Sequence, residues 1–448
     1  MNVLKFGGTS VGSVSRIKHV AELVLERGRN IVVLSAMSGT TNTLVDICEY
    51  LEKDNRDGAL ETLNALKTKY DGVIAELFAV PEGASDNETE RTEGARIEAK
   101  TTIDRILGMI RSITALDYND NYGKEILAQG ELISTSLFHL YLLNRGIRSV
   151  LLPALEFMRI DEEAEPDMRF ITTHLQMLLD QQRDADIYLT QGYVCRNAEG
   201  RVDNLRRGGS DYTASLIGAA IGAGEIQIWT DIDGMHNNDP RYVEGTRPVS
   251  ELHFDEAAEL AYFGAKILHP SCVLPARLAN IPVRLLNTLE PEKPGTLIHN
   301  VQQSGSIKAV AAKDNVTAVK IKSGRMLVAY GFLQKIFDIF ARHRTSIDMM
   351  ATSEVSVTVT VDNSERLADI VDDLKHFGTV TIDTDMTIIC VVGDLNWHNR
   401  QLEAHAVNAL SGIPIRMISY GGSDYNISML INSEDKVRAL QALSAALF

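Results

Sequence analysis

Apolar positions along this chain fall into two rhythms, and the changes between them locate its strands and helices. Val3 and Leu4 form a short apolar run. Ile17, Val20, Ala21 and Val24 then recur at helical spacing and stop near Gly28, and residues 31–34 are again continuously apolar. Strand, helix, strand at this length predicts a βαβ unit, and hence a parallel sheet covered on both faces. Residues 44–113 carry a long, charged helical pattern, read as a mostly solvated helical region without assigned chemistry. An apolar helix opening at Ala128 and running through Leu142, a small-residue helix from Ala214 to Ala223, and strands at 187–194, 225–230 and 281–286 extend the alternation. A short helix at 256–262 follows Asp255, a residue type suited to capping it. The proline, glycine and charge of 290–295 and the polar 302–305 mark a domain boundary. Beyond it, strands at 316–321, 347–350, 355–361, 380–382, 386–392, 415–419 and 426–430 alternate with helices at 332–343, 364–376, 401–410 and from 434. That order is βαββαβ twice in outline, which predicts tandem ferredoxin-like domains. The pattern leaves the pairing of the strand 307–312 open.

Composition narrows the class. With 448 residues, the chain is long enough for two or three domains at roughly 100–200 residues each. A net charge of −16 argues against a general nucleic-acid or anionic-membrane surface, so an anionic substrate must be met by a local cluster of Lys and Arg. Cys48, Cys195, Cys272 and Cys390 are scattered without a CxxC pair, which suggests neither a disulfide framework nor a zinc site. The first strand begins at Asn2, leaving no room for a signal peptide, and no apolar run of about 18 residues is apparent. A soluble cytoplasmic protein is the expectation.

The chemistry-bearing residues collect at strand ends, where parallel sheets bind their ligands. Lys5-Phe6-Gly7-Gly8-Thr9-Ser10 follows the first strand. Glycines let the backbone approach an anion, successive N–H groups converge on it, and the lysine adds a point charge. The lysine precedes the glycines, so this is not a GxxxxGK[ST] loop and another phosphate-handling fold is required. A tight turn with an exposed lysine is the plainer alternative. Ser35-Ala36-Met37-Ser38-Gly39 ends the next strand. Glu131 has two open readings: a favourable charge in a first helical turn, or a carboxylate facing a substrate ammonium. Arg206-Arg207-Gly208-Gly209-Ser210-Asp211 combines close backbone approach, a helix start and arginine able to grip a carboxylate in bidentate fashion. Thr230-Asp231-Ile232-Asp233-Gly234 is either a turn or the border of a nucleotide site; the other ligand positions of a calcium loop are missing. Lys266, just past a predicted helix end, reads on its own as a solvated charge.

Five stretches stand in the order found in the aspartate kinases, which the chain resembles over nearly its whole length. They are Val3 to Val11, Gln129-Gly130-Glu131, Arg207 to Asp211, Trp229 to Gly234, and Phe263-Gly264-Ala265-Lys266-Ile267-Leu268-His269-Pro270. The resemblance implies an α/β catalytic domain at 1–300, an amino-acid-kinase αβα sandwich with a mainly parallel sheet. It also implies two α+β ferredoxin-like ACT regulatory domains, at 301–385 and 386–448. The implied reaction is ATP- and Mg²⁺-dependent phosphorylation of the side-chain carboxylate of L-aspartate to 4-phospho-L-aspartate.

Carried over by position, Lys5, Asp211 and Lys266 are catalytic, and Ser35, Thr41, Glu131, Arg207 and Ser210 shape the aspartate site. Lys5, Gly7, Gly8, Thr230, Asp231, His236, Arg241 and Lys266 bind the nucleotide; His236 stands where a tyrosine is common. The stretch from Ser346 to Ser356 resembles lysine-sensitive, single-function relatives, which implies an L-lysine site at Met326, Asp348, Thr352 and Ser353. Ala329 lies where such relatives often carry serine. ACT sites form between subunits, so a homodimer or homotetramer is expected, with no nucleic-acid or membrane partner. The chain ends at Phe448, and no fused homoserine dehydrogenase is expected. A kinase for glutamate or N-acetylglutamate, and a catalytically silent amino-acid sensor, are the alternatives.

Overall fold

Strand β1 (Asn2–Phe6) is buried from Val3 onward, as its apolar run requires, and the parallel sheet is assembled around it. The computed structural model describes residues 1–206, 208–264, 268–301, 305–324, 330–398 and 401–448, with the backbone alone at 270 and 271. Two compact units emerge: Met1–Gly234 with Ile267–Asn300, and Met235–Lys266 with Val301–Phe448.

In the first unit, α1 (Val14–Glu26) starts at Ser13, whose hydroxyl accepts from the Arg16 N–H, and buries Ile17, Val20, Ala21 and Val24. It returns the chain to β2 (Asn30–Leu34), parallel to β1. The charged region becomes α2 (Thr40–Glu52), α3 (Arg56–Leu77) and α4 (Asp86–Ile113). These helices are not simply solvated: stripes such as Leu63, Leu66, Tyr70 and Ile74 on α3, and Ile103, Ile106 and Ile110 on α4, join the core.

Helix α5 (Asp120–Asn144) begins two turns earlier than its apolar pattern predicts, because Asn119 caps it by accepting from the N–H groups of Asn121 and Tyr122. Glu131 therefore lies in the helix interior, and the first-turn dipole reading falls. By length and composition α5 would also cross a membrane, which the sequence reading overlooked; 72% of its apolar stretch is buried inside the protein, as befits a core helix.

The chain continues through β3 (Ser149–Leu151), α6 (Ala154–Phe157), α7 (Met168–Gln181) and β4 (Ile187–Gln191) to the hairpin β5 (Val194–Arg196) and β6 (Val202–Asn204), then α8 (Gly209–Ile221) and β7 (Ile226–Thr230). Strand β8 (Glu251–His253) and α9 (Phe254–Tyr262) belong to the second unit, after which α10 (Pro270–Leu278), β9 (Val283–Asn287) and β10 (Thr296–His299) complete the first. His253, not Asp255, caps α9: its ring accepts from the Asp255 N–H while Glu256 accepts from the His253 N–H. The strands run β3-β4-β2-β1-β7-β9-β10, parallel except for β10 against β9. Since the chain leaves β1 for β2 on one side and β7 adds on the other, the carboxyl end of β1 is a topological switch point.

The second unit carries one antiparallel sheet. Its elements are β11 (Ile307–Lys322), α11 (Phe332–Arg342), β12 (Met350–Ser353), β13 (Ser356–Val361), α12 (Leu367–Lys375), β14 (Thr379–Gly393), α13 (Leu402–Ala409), β15 (Met417–Tyr420), β16 (Asn426–Asn432) and α14 (Lys436–Leu447). The order is β12-β13-β11-β14-β16-β15. The two strands expected at 380–382 and 386–392 are one long strand, and 307–312 is the first half of another. The N-terminal half of β11 pairs with the C-terminal half of β14, and the remaining halves pair with each other; the register breaks between Lys313 and Ala318. Asn315 (φ 60°) and Asp385 (φ 54°) are left-handed at that break, the geometry by which a bulge turns a strand. Two ferredoxin-like modules thus share two strands, and the N-terminal half of β11 belongs with α13, β15, β16 and α14. Each module has its own core, one around Ile336, Phe340, Val359 and Leu374, the other around Val391, Leu410, Met429 and Leu440.

Candidate active site

Turns after β1 and β2 meet at the switch point. The Gly7 N–H donates to the Trp229 carbonyl of β7 at 3.2 Å, and the Ser35 N–H to the Phe6 carbonyl at 3.2 Å, so both neighbours of β1 hold its end. The Gly8 carbonyl accepts from the Ser38 N–H at 3.2 Å and the Ser38 hydroxyl at 2.9 Å. A Cβ on Gly8 would lie 2.8 Å from the Ala36 carbonyl oxygen, which explains glycine there.

Helix α5 brings the carboxylate. Gly130 packs so closely that an added Cβ would sit 2.9 Å from the Cβ of Ala36, and the next residue, Glu131, accepts from the Ala36 N–H at 3.2 Å. Burial pushes the Glu131 carboxyl up to about 7, against the opposing pull of that N–H and the nearby Lys5 charge. Helix α8 supplies the rest. Gly208 (φ 74°) starts it in the left-handed conformation, and Ser210 and Asp211 occupy its first turn. The Asp211 carboxylate lies 2.7 Å from the Lys5 ammonium, both largely buried.

Seven residues expected from sequence, Lys5, Gly8, Ser35, Thr41, Glu131, Ser210 and Asp211, line one cavity of about 430 Å³. Gly7 turns the chain beside it. Ser38, Asn42, Tyr193 and Arg206 also line it and were not singled out. The two consecutive arginines could have drawn attention to Arg206, and the position of Tyr193 after the end of β4 was a weaker signal. Thr230 and Asp231 lie at the end of β7, outside the cavity's lining; the Thr230 hydroxyl accepts from the Ile232 N–H at 3.1 Å. His236 and Arg241 belong to the second unit, where His236 bonds Thr246 at 3.0 Å and Arg241 grips Asp239 with two nitrogens. Arg207, Lys266 and Met326, with Ala329, lie outside the described residues.

Asp348 is nearly inaccessible in the second unit: its carboxylate receives the Lys313 ammonium at 2.7 Å and the Tyr262 hydroxyl at 2.7 Å. It borders a separate cavity of about 230 Å³ with Glu259, Asn426 and Ser428, whereas Thr352 and Ser353 are exposed on β12 and do not line that cavity. Among the described residues, the structure does not gather the expected effector contacts into one pocket.

A lysine-bearing glycine turn at the switch point of a parallel sheet, facing the start of a helix and a buried carboxylate, defines a phosphate-handling α/β unit joined to a ferredoxin-like pair. Residues 1–287 match the amino acid kinase family, and residues 389–447 match an ACT domain. The chain is 32% identical to lysine-sensitive aspartokinase 3 of Escherichia coli (strain K12), covering 100% of this chain and 99% of the relative. It is similar to the structure of E. coli aspartokinase III in complex with aspartate and ADP (TM-score 0.82, 32% identity, 100% of both chains). It is likewise similar to the lysine and aspartate complex of that enzyme (TM-score 0.78, 32% identity, 100% of this chain and 99% of the other). The chain belongs to the aspartokinases of the amino acid kinase family.

Proposed function

We propose that the chain uses ATP to phosphorylate the side-chain carboxylate of L-aspartate, opening the biosynthetic branch to lysine, threonine and methionine, and that L-lysine inhibits it. The observation carrying this is the single cavity where the Lys5–Asp211 pair, the hydroxyls of Ser35, Thr41 and Ser210, and Glu131 converge. A family member alike over its whole length holds aspartate and ADP in its crystal structure.

The chemistry suits this inventory. A carboxylate with an ordinary pKa near ~3.9 is ionised at neutral pH, so the nucleophile needs no general base. The difficulty is to bring two anions together and to stabilise charge on the phosphoryl group in flight. In this reading Lys5, held by Asp211, meets the phosphates at the glycine turn, Glu131 receives the substrate ammonium, and the hydroxyls orient its carboxylates. Arg207 and Lys266 take the family's roles at the aspartate carboxylate and the phosphates, and Thr230, Asp231, His236 and Arg241 those at the nucleotide. Mg²⁺ enters as the metal complex of ATP, a co-substrate, since this ion is usually bound through the nucleotide's phosphates with only one or two carboxylates.

Lysine inhibition is supported by the family member crystallised with lysine, and this reading assigns Met326, Asp348, Thr352 and Ser353 as the contacts. Assembly into a homodimer or homotetramer through the ACT modules and a cytoplasmic location complete the reading; four buried cysteines, none in a disulfide, suit a reducing compartment. The test is ATP- and Mg²⁺-dependent acyl-phosphate formation from L-aspartate, trapped with hydroxylamine, with and without L-lysine, L-threonine and L-methionine. Aspartate-dependent product suppressed by lysine alone is the expected result. Product from glutamate or N-acetylglutamate instead, or none from well-folded protein, would overturn it.

A further inference from the structure

Two non-glycine residues flank the β5–β6 hairpin in left-handed conformations, Tyr193 (φ 67°) before it and Arg206 (φ 60°) after it, and both line the cavity. An L side chain tolerates this region poorly, so it persists only where neighbouring bonds over-determine it. Arg206 has such bonds. Its N–H donates to Asn204 Oδ1 at 2.9 Å and its carbonyl accepts from the Gly209 N–H at 3.1 Å. Leu205 beside it is buried and donates its N–H to the Tyr193 carbonyl at 2.8 Å. Glycine would occupy this conformation without strain. The residue in place is instead the bulky, cationic arginine.

The charges around the cavity supply a reason. Its described lining residues include two cations, Lys5 and Arg206, and two acids, Glu131 and Asp211. Lys5 is committed to Asp211 at 2.7 Å, while Arg206 makes no ion pair among the described residues. A dicarboxylic substrate brings two negative groups, and a guanidinium presents a planar fork matched to a carboxylate.

We propose that Arg206 is a specificity-determining residue of this cavity: its guanidinium receives a carboxylate of the amino-acid substrate, and the strained backbone is retained to put it there. The assignment rests on the reading of the chain as an aspartate-phosphorylating kinase. It adds to Arg207, whose role is carried by family position, a second cation that stood at the head of the Arg206 to Asp211 stretch without a role of its own.

The experiment compares the full chain with Arg206→Gly and Arg206→Lys, by KM for aspartate and for ATP in the hydroxylamine assay and by thermal melting. Arg206→Gly is expected to raise KM for aspartate on the order of tenfold or more, the usual worth of a charge-assisted hydrogen bond. It should leave KM for ATP within about twofold, and keep or raise the melting temperature, because glycine relieves the left-handed strain. Arg206→Lys should recover much of the aspartate affinity. An unchanged KM for aspartate in Arg206→Gly overturns the proposal. So does a parallel rise in both KM values with a lowered melting temperature that Lys does not repair, since Arg206 would then only shape the loop. If the unaltered chain makes no product from aspartate, the functional reading fails instead. Succinate binding by calorimetry then carries the same comparison, and equal affinity in the unaltered chain and Arg206→Gly overturns the Arg206 assignment by itself.

Discussion

Replacing Glu131 by Gln should make the protein more stable and a worse enzyme. Glu131 is 5% exposed, and burial lifts its carboxyl from an ordinary 4.5 to about 7. Between those values the folded chain keeps a proton that the unfolded chain has lost, so stability falls as pH rises through the window and stays lowered above it. The displacement corresponds to roughly 3 kcal/mol at alkaline pH. Gln retains an oxygen for the Ala36 N–H and carries no charge, so Glu131→Gln should recover most of that amount at about pH 8 and little at about pH 4.5. Trp229, buried in β7, reports denaturant unfolding of the first unit once the exposed Trp397 is replaced by Phe. The same substitution removes the partner assigned to the substrate ammonium. KM for aspartate should therefore rise, and the increase in KM expected of the unaltered enzyme as pH falls below about 7 should be absent from the variant. Equal stability of the two proteins at about pH 8 would refute the claim that burial strains this carboxylate. An unaltered aspartate KM would remove Glu131 from the ammonium site.

Other substitutions test the rest of the site. Lys5→Met leaves the Asp211 carboxylate without its 2.7 Å partner in a largely buried setting; a loss of about 3–5 kcal/mol is expected with near-complete loss of turnover. Undiminished turnover would dismiss Lys5 as a phosphate ligand. Gly130→Ala places a Cβ 2.9 Å from that of Ala36. It should destabilise by about 1–3 kcal/mol and raise KM for aspartate by displacing Glu131, and wild-type kinetics would show that α5 can shift without consequence. Asp348→Ala should relieve lysine inhibition with little loss of basal activity, because Lys313 keeps Asp362 at 3.0 Å as a partner; an unchanged lysine response would exclude Asp348 from the effector site.

Local chemistry explains why much of this site could be read early. Lys5 to Gly8 declares itself because a strand, a lysine and two glycines are adjacent in sequence, and the same holds for Gly208 to Asp211 at the start of α8. Glu131 was visible as a residue but not as an environment. Its helix begins at Asp120 with an Asn cap whose signal is weaker than the apolar pattern further on, so the first-turn reading misplaced it in the helix. Arg206 was visible in its motif but its left-handed backbone was not, because φ is set by bonds to Asn204 and Gly209, not by residue type.

The sequence by itself determined the parallel catalytic sheet, the ferredoxin-like character of the C-terminal unit, and the residue types that meet phosphate and carboxylate, because periodicity and turn chemistry act over a few neighbouring positions. Only the tertiary structure decided that Lys5 pairs with Asp211, that Glu131 is held near neutrality, and that β11 and β14 each serve two modules. Those outcomes depend on which distant surfaces are brought out of water together, and no local pattern encodes that.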